Sequence, residues 1–210
     1  MSYAVKEIFK TLQGEGRHAG RVAVFCRFSG CNLWSGRERD RAKSICTFCD
    51  TDFVGTNGAR GGRFVSAKDL VRAIEASWGE GTANRFVVLT GGEPLLQVDE
   101  ELIAALKGAG FSIAVETNGT LAAPQGLDWI CVSPKAGAEL KQRSGHELKL
   151  VYPQAGLQPD EVSGFAFEEF WLQPMDGPER VKNISAAVAF CLQNPRWRLS
   201  LQTHKMIGIP

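Results

Sequence analysis

Three of the six cysteines fall in one short stretch, CNLWSGRERDRAKSICTFCDTD (31–52), at Cys31, Cys46 and Cys49. Thiolates are soft ligands for zinc and iron, so a C-x14-C-x2-C spacing first suggests an inorganic centre. Cys46 and Cys49 share one turn, and both sulfurs can reach the same point. The fourteen-residue insert must then loop out and bring Cys31 back to it. Three thiolates are one short of a closed tetrahedral metal site and one short of a fully ligated iron–sulfur cluster. A centre with one position open has room for a substrate or cofactor, as chemistry requires and structural support does not. A second reading adds Cys26, and C-x4-C-x14-C-x2-C spacing suits a structural zinc site in a small binding module. The segment VAVFCRF (22–28) weighs against it. It has strand composition, Cys26 shares the parity of Val22, Val24 and Phe28, and free cysteine is among the most buried residue types. The cysteines alone leave cluster and zinc both standing.

The rest of the chain must position these sulfurs. Its 210 residues are enough for one well-buried domain, 1–210, and a net charge of +1 gives no general drive towards nucleic acid or anionic membrane. The N-terminus MSYAVKEIFKTLQGEG lacks the apolar core of a signal peptide, and no uncharged apolar run approaches the roughly 20 residues of a membrane helix. A soluble, cytoplasmic protein is expected, where thiols stay reduced and six cysteines read as ligands or core before disulfides.

Apolar, β-branched segments alternate with helical patterns. Strands are expected at 22–28, 86–90, 112–117, 128–132, 147–151, 169–173 and 198–202, and helices at 67–77, 98–109 and 178–193. Ser66 and Asp69 form a capping arrangement, Pro94 and the glycines before it end strand 86–90, and Gly108 and Gly110 close the second helix. The alternation implies βαβ units and a parallel sheet. A full eight-fold barrel takes about 250 residues, and the connections 118–127 and 136–146 are brief, so an α/β fold with an open, partial barrel of about six parallel strands is expected.

In such folds chemistry gathers at the carboxyl ends of the strands. Strand 22–28 runs into the cysteine loop. The other exits read Thr90-Gly91-Gly92-Glu93-Pro94, Glu116-Thr117-Asn118-Gly119, Ser133-Pro134-Lys135 and Gln173-Pro174-Met175-Asp176. Each alone reads as a turn. Together, with Glu93, Glu116, Lys135 and Asp176 beside a cysteine site, they read as a pocket.

An open three-cysteine site after the first of these strands, Phe48 before the last cysteine and a Gly-Gly-Glu-Pro exit resemble the radical S-adenosylmethionine enzymes. Their common motif is C-x3-C-x2-C. The fourteen-residue departure is similar to one branch, the 7-carboxy-7-deazaguanine synthases of the queuosine pathway. TLQGEG (11–16), FCRFSGCNLWSG (25–36), CDTDF (49–53), ETNG (116–119), VSPK (132–135) and the terminal LQTHKMIGIP resemble that family too, so the likeness runs from residue 3 to the end. A glycyl-radical activase is the alternative within the superfamily, disfavoured by the long insert and by TLQGEG.

The resemblance implies a lyase that contracts the ring of 6-carboxy-5,6,7,8-tetrahydropterin, releasing ammonia. It implies a 4Fe–4S cluster on Cys31, Cys46 and Cys49 and S-adenosylmethionine on the free iron. The S-adenosylmethionine contacts would be Phe48, Cys49, Asp50, Gly92, Glu93, Ser133, Pro134, Lys135, Gln173, Pro174, Met175 and Asp176. Gly92 and Glu93 would accept from the methionine ammonium. Leu12, Gln13, Gly14, Glu15, Arg27, Thr90, Glu116 and the Pro210 carboxylate would hold the substrate, Arg27 through its planar fork on the carboxylate. Thr51 would be a Mg²⁺ ligand. The resemblance further implies a homodimer. A flavodoxin-type electron donor is a separate expectation, which rests on the basic insert 35–45 as a docking loop.

The remaining candidates take plainer readings. Cys131 and Cys191 are expected in the core, His18, His146 and His204 at the surface or in the core, and 35–45 as a solvated loop or short helix.

Overall fold

The computed structural model describes residues 2–210. Nine strands form one sheet, β1 (Tyr3–Leu12), β2 (Val22–Phe28), β3 (Gly62–Phe64), β4 (Phe86–Gly91), β5 (Ser112–Thr117), β6 (Trp129–Val132), β7 (Ser144–Tyr152), β8 (Ala166–Pro174) and β9 (Trp197–Leu199), in the order β3-β1-β2-β4-β5-β6-β7-β8-β9. From β2 to β9 every pairing is parallel, so the parallel run has seven strands, one for each strand expected from the sequence and one more than a barrel of about six, with three-residue β9 at the edge. β1 and β3 extend the sheet antiparallel. β1 was absent from the expected strands. A register shift between Val5 and Glu7 breaks its two-residue alternation, which hides it from a periodicity reading.

The helices are α1 (Ala67–Trp78), α2 (Glu100–Gly108), α3 (Pro159–Val162), α4 (Arg180–Gln193) and α5 (Thr203–Ile207). Ser66 Oγ accepts from Asp69 N at 3.2 Å, which starts α1 as expected. Leu70, Val71, Ile74 and Trp78 then fall on one stripe that packs on the outer face of the sheet. Asp99 caps α2 in the same way. The connections β5–β6 and β6–β7 carry no helix, as their length implied. One core lies under α1 and α2, and a second, around Phe170, Leu172 and Trp197, under α4. Alternation does the sorting on β2: Cys26 is fully buried in the outer core and Arg27 points to the concave side.

Candidate active site

The concave side holds a cavity of about 340 Å³ at the carboxyl ends of the strands. Every candidate read from the sequence lines it except Glu93 and Pro134, which stand behind its wall.

One wall is loop. Cys31, Cys46 and Cys49 all face the cavity. Cys46 N donates to Leu33 O at 3.3 Å and draws the two ends of the insert together. Gly36, at φ 79°, turns the chain where a Cβ would strike Val54 and Phe53. Backbone N–H groups already point at the sulfurs, Leu33 N at 3.4 Å from Cys31 Sγ. Burial pushes the Cys31 and Cys46 thiols up. Lys135 pulls Cys46 back down, and both feel the charge of Cys49. The three sulfurs therefore share one electrostatic neighbourhood. Among the described residues no group of three or more His, Cys, Asp or Glu converges closely enough for a single metal ion. Sulfurs set around a cavity suit a bulky cluster, while Cys26, buried on the far face of the sheet, is not available as a fourth zinc ligand.

The β4 exit is sewn to this loop. Gly92 N donates to Phe28 O at 3.3 Å and Glu93 N to Gly30 O at 2.9 Å. A Cβ on Gly92 would collide with the Gly30 carbonyl and the Cys31 side chain, so the motif needs glycine for close approach. Glu93 is fully buried. Its carboxylate accepts from Thr117 Oγ1 and Asn118 N at 2.7 Å each and from Leu95 N at 2.9 Å. Burial pushes Glu93 up and these donors oppose it. The carboxylate, expected to meet a ligand directly, also locks the β5 exit. Lys135 Nζ donates to Ser133 O and Oγ at 2.6 and 2.7 Å, 5.8 Å from the Phe48 ring centre. Burial lowers Lys135, and the Cys46 and Cys49 sulfurs raise it.

The opposite wall is built on strands and on the turn that follows β1. Arg27 Nε donates to Glu7 Oε1 at 2.8 Å. Gln13 Nε2 donates to Glu116 Oε1 at 2.8 Å. Lys149 Nζ bridges Glu15 Oε2 at 2.5 Å and Glu116 Oε2 at 3.2 Å. Burial pulls Lys149 down, but Glu116 and Glu15 more than reverse it. In return Lys149 holds Glu15 below its usual range despite burial. Removing either sign would strand a buried charge.

The C-terminal segment closes the rim. Thr203 N donates to Gly14 O at 3.0 Å, and Gln202 Nε2 to Glu15 at 3.0 Å and Asp50 at 3.2 Å. Lys205 joins Asp50 at 2.5 Å to Asp176 at 2.6 Å, and Thr11 Oγ1 donates to Pro210 O at 2.9 Å.

Several site residues escaped sequence reasoning. Lys149 carried one signal, a charge inside a strand that must be buried on both faces. His204, expected to be surface or core, lines the cavity, and a Cβ on Gly14 would strike its ring. Cys131 is buried as expected but also forms part of the cavity wall. His18 keeps its plain role, half-buried against Phe86 and Trp129 with ring centres 5.0 and 4.6 Å away. Of the basic insert, Arg37, Arg39 and Lys43 are exposed as expected, whereas Arg41 is turned inward.

Residues 41–149 match the Radical SAM superfamily, a span that includes Cys46 and Cys49 and begins inside the insert. Over their full lengths, the chain is 67% identical to the 7-carboxy-7-deazaguanine synthase of Bradyrhizobium diazoefficiens, 64% to that of Caulobacter vibrioides and 63% to that of Bordetella pertussis. It is similar in structure to QueE from Escherichia coli, with a TM-score of 0.69 at 26% identity over 96% of this chain and 94% of that one.

Proposed function

The chain belongs to the 7-carboxy-7-deazaguanine synthases of the radical S-adenosylmethionine superfamily, and on that premise we propose how its cavity works and which residues do what. The enzyme contracts the ring of 6-carboxy-5,6,7,8-tetrahydropterin to 7-carboxy-7-deazaguanine with loss of ammonia, on the route to queuosine. Bond cleavage that expels ammonia makes it a carbon–nitrogen lyase. The observation that carries this reading is one cavity with three cysteines on one wall and a network of charged and amide groups on the other.

A 4Fe–4S cluster and S-adenosylmethionine, when bound, supply one-electron chemistry that side chains lack. Cys31, Cys46 and Cys49 would ligate the cluster. The donor set fits, with three sulfurs on one wall and N–H groups aimed at them, while Cys131, which also lines the cavity, sits with Glu147 and Lys149 on the other wall. The Gly92 carbonyl would accept from the methionine ammonium, with Glu93 holding that exit in place. Backbone groups of Phe48, Cys49 and Asp50 would face the nucleoside. Ser133, Lys135 and the Gln173–Asp176 exit would hold its other edges, with Pro134 behind them.

Arg27 would take the substrate carboxylate, sharing its guanidinium with Glu7. The pterin edge offers N–H donors, so it suits acceptors. Glu15 and Glu116, both paired with Lys149, offer acceptor oxygens, while the Gln13 amide, the Leu12 and Gly14 backbone and the Thr90 hydroxyl fix the ring. Thr51 would join the substrate carboxylate in holding Mg²⁺. The tail from Gln202 to Pro210 would exclude water once substrate is in, with the Pro210 terminus touching it.

One continuous sheet supports reading residues 1–210 as one domain. Among the described residues no helix is long and apolar enough to cross a membrane, in keeping with the cytoplasmic enzyme we propose. We also propose a homodimer and a flavodoxin-type donor that meets the exposed Arg37, Arg39 and Lys43. The test is anaerobic incubation with S-adenosylmethionine, reductant and the carboxypterin. We expect a product lighter than the substrate by ammonia. Unchanged substrate mass with an intact cluster would overturn the reaction.

A further inference from the structure

The basic insert contains one arginine that does not behave like its neighbours. Arg41 Nη1 donates to Thr47 O and to Cys49 O, each at 3.1 Å. These two carbonyls belong to the turn that presents Cys46 and Cys49. The Arg41 guanidinium lies 4.0 Å from the centre of the Trp34 ring, which itself donates through Nε1 to Arg37 O at 3.2 Å and lines the cavity beside Cys31. Glu38, one turn back in the short 3₁₀ segment Glu38–Lys43, fixes Arg41 from the outside with Nε to Oε1 and Oε2 at 2.9 and 2.8 Å. The guanidinium is thus held on three sides, by a carboxylate, an aromatic face and two carbonyls. Arg39 shows the contrast: its side chain is 73% exposed and meets Asp40 only at 3.7 Å.

We propose that Arg41 is a positioning residue for the iron–sulfur cluster, and that the long insert exists to send this arginine back onto the Cys46–Cys49 turn. A three-residue spacing could bring two sulfurs together by local geometry alone. A fourteen-residue loop has no such constraint, and closing it costs entropy that some contact must offset. Arg41 supplies it. The planar fork reaches two carbonyls and Glu38 at once, and Trp34 on the other rim of the loop gives it a floor. Removing the two carbonyl bonds frees the Cys46–Cys49 turn without touching a ligand. The inference rests on the three-cysteine cluster, and its test separates the two ideas.

Iron content of anaerobically reconstituted wild type establishes the cluster. Arg41→Gln and Arg41→Lys are then compared with wild type and with Arg39→Gln as the exposed control. We expect Arg41→Gln to surrender iron to a chelator roughly 10–100-fold faster, the usual effect of losing an outer partner of a metal ligand. We expect Arg41→Lys to recover most of the retention, since an ammonium can still donate to both carbonyls, and Arg39→Gln to match wild type. In the iron-free proteins, amides of residues 47–50 should exchange hydrogen faster in Arg41→Gln while the β4 and β5 amides are unchanged. Equal iron retention and equal exchange in Arg41→Gln and wild type would overturn the proposal. So would a Gln variant whose only defect is slower reduction by a protein donor, which would make Arg41 a docking residue.

Discussion

The two walls of the cavity are built on opposite plans. The sulfur wall is irregular chain from Cys31 to Phe53, shaped by one close-packed glycine, backbone hydrogen bonds and Arg41. The facing wall consists mostly of side chains on β1, β2, β5 and β7 whose register is set by the sheet, joined by Gln13 and Glu15 in the turn just past β1, and its charges hold one another. A loop can wrap a bulky inorganic group and can be set in position by a few outer contacts. A strand fixes side chains to within the tolerance of the ladder, which suits recognition of a flat, polar ring. Damage to the first wall should therefore cost the cofactor, and damage to the second should cost the substrate or the fold.

The largest effect should come from the sulfurs. Cys31→Ala, Cys46→Ala and Cys49→Ala should each abolish cluster binding, measured as iron per chain and as loss of the brown colour, with the fold kept by circular dichroism. Next is Lys149→Met. It strands Glu15 and Glu116 in a buried setting, so thermal or denaturant unfolding should show a loss on the order of 3 kcal/mol. The sign with pH follows from Glu15. Its carboxyl is held low in the folded state, so its contribution is present above the usual carboxylate range and is lost as pH falls through the lowered value. Without Lys149 the acid unfolding midpoint should move to higher pH. Arg27→Ala is smaller and cleaner. KM for the pterin should rise about 10–100-fold, the worth of a charge-assisted hydrogen bond, with iron content unchanged. Lys205→Met should unfasten the tail from Asp50 and Asp176 and raise KM for S-adenosylmethionine by about fivefold, as expected for half-exposed pairs. Cys26→Ala marks the boundary of the sulfur wall: it should cost about 1 kcal/mol of core packing and leave the cluster intact. If Cys26→Ala bleached the protein, or Arg27→Ala did, the division between walls would fail.

The two walls also differed in how far the sequence disclosed them. The sulfur wall depends on residues close in the chain, and C-x14-C-x2-C with Gly91-Gly92 was legible at once. What Arg41 does was not, because a charge run looks the same whether it faces water or folds back. The other wall joins β1, β2, β5, β7 and the tail, and Lys149 finds Glu15 across 134 positions. Nothing local announces such a pair. β1 was hidden by its bulge, and Glu93 sat in a familiar motif yet turned its carboxylate inward to the β5 exit. Strands β2, β4 and β5 and helix α1 were readable because alternation, caps and breakers agreed.

The most direct measurement is the metal content of the anaerobically purified chain, together with the electron paramagnetic resonance of its reduced form with and without S-adenosylmethionine. We expect about four irons per chain, no stoichiometric zinc, and a signal that changes when the nucleoside is added. One zinc per chain, no iron and no colour would contradict the three-cysteine cluster on which every assignment above depends.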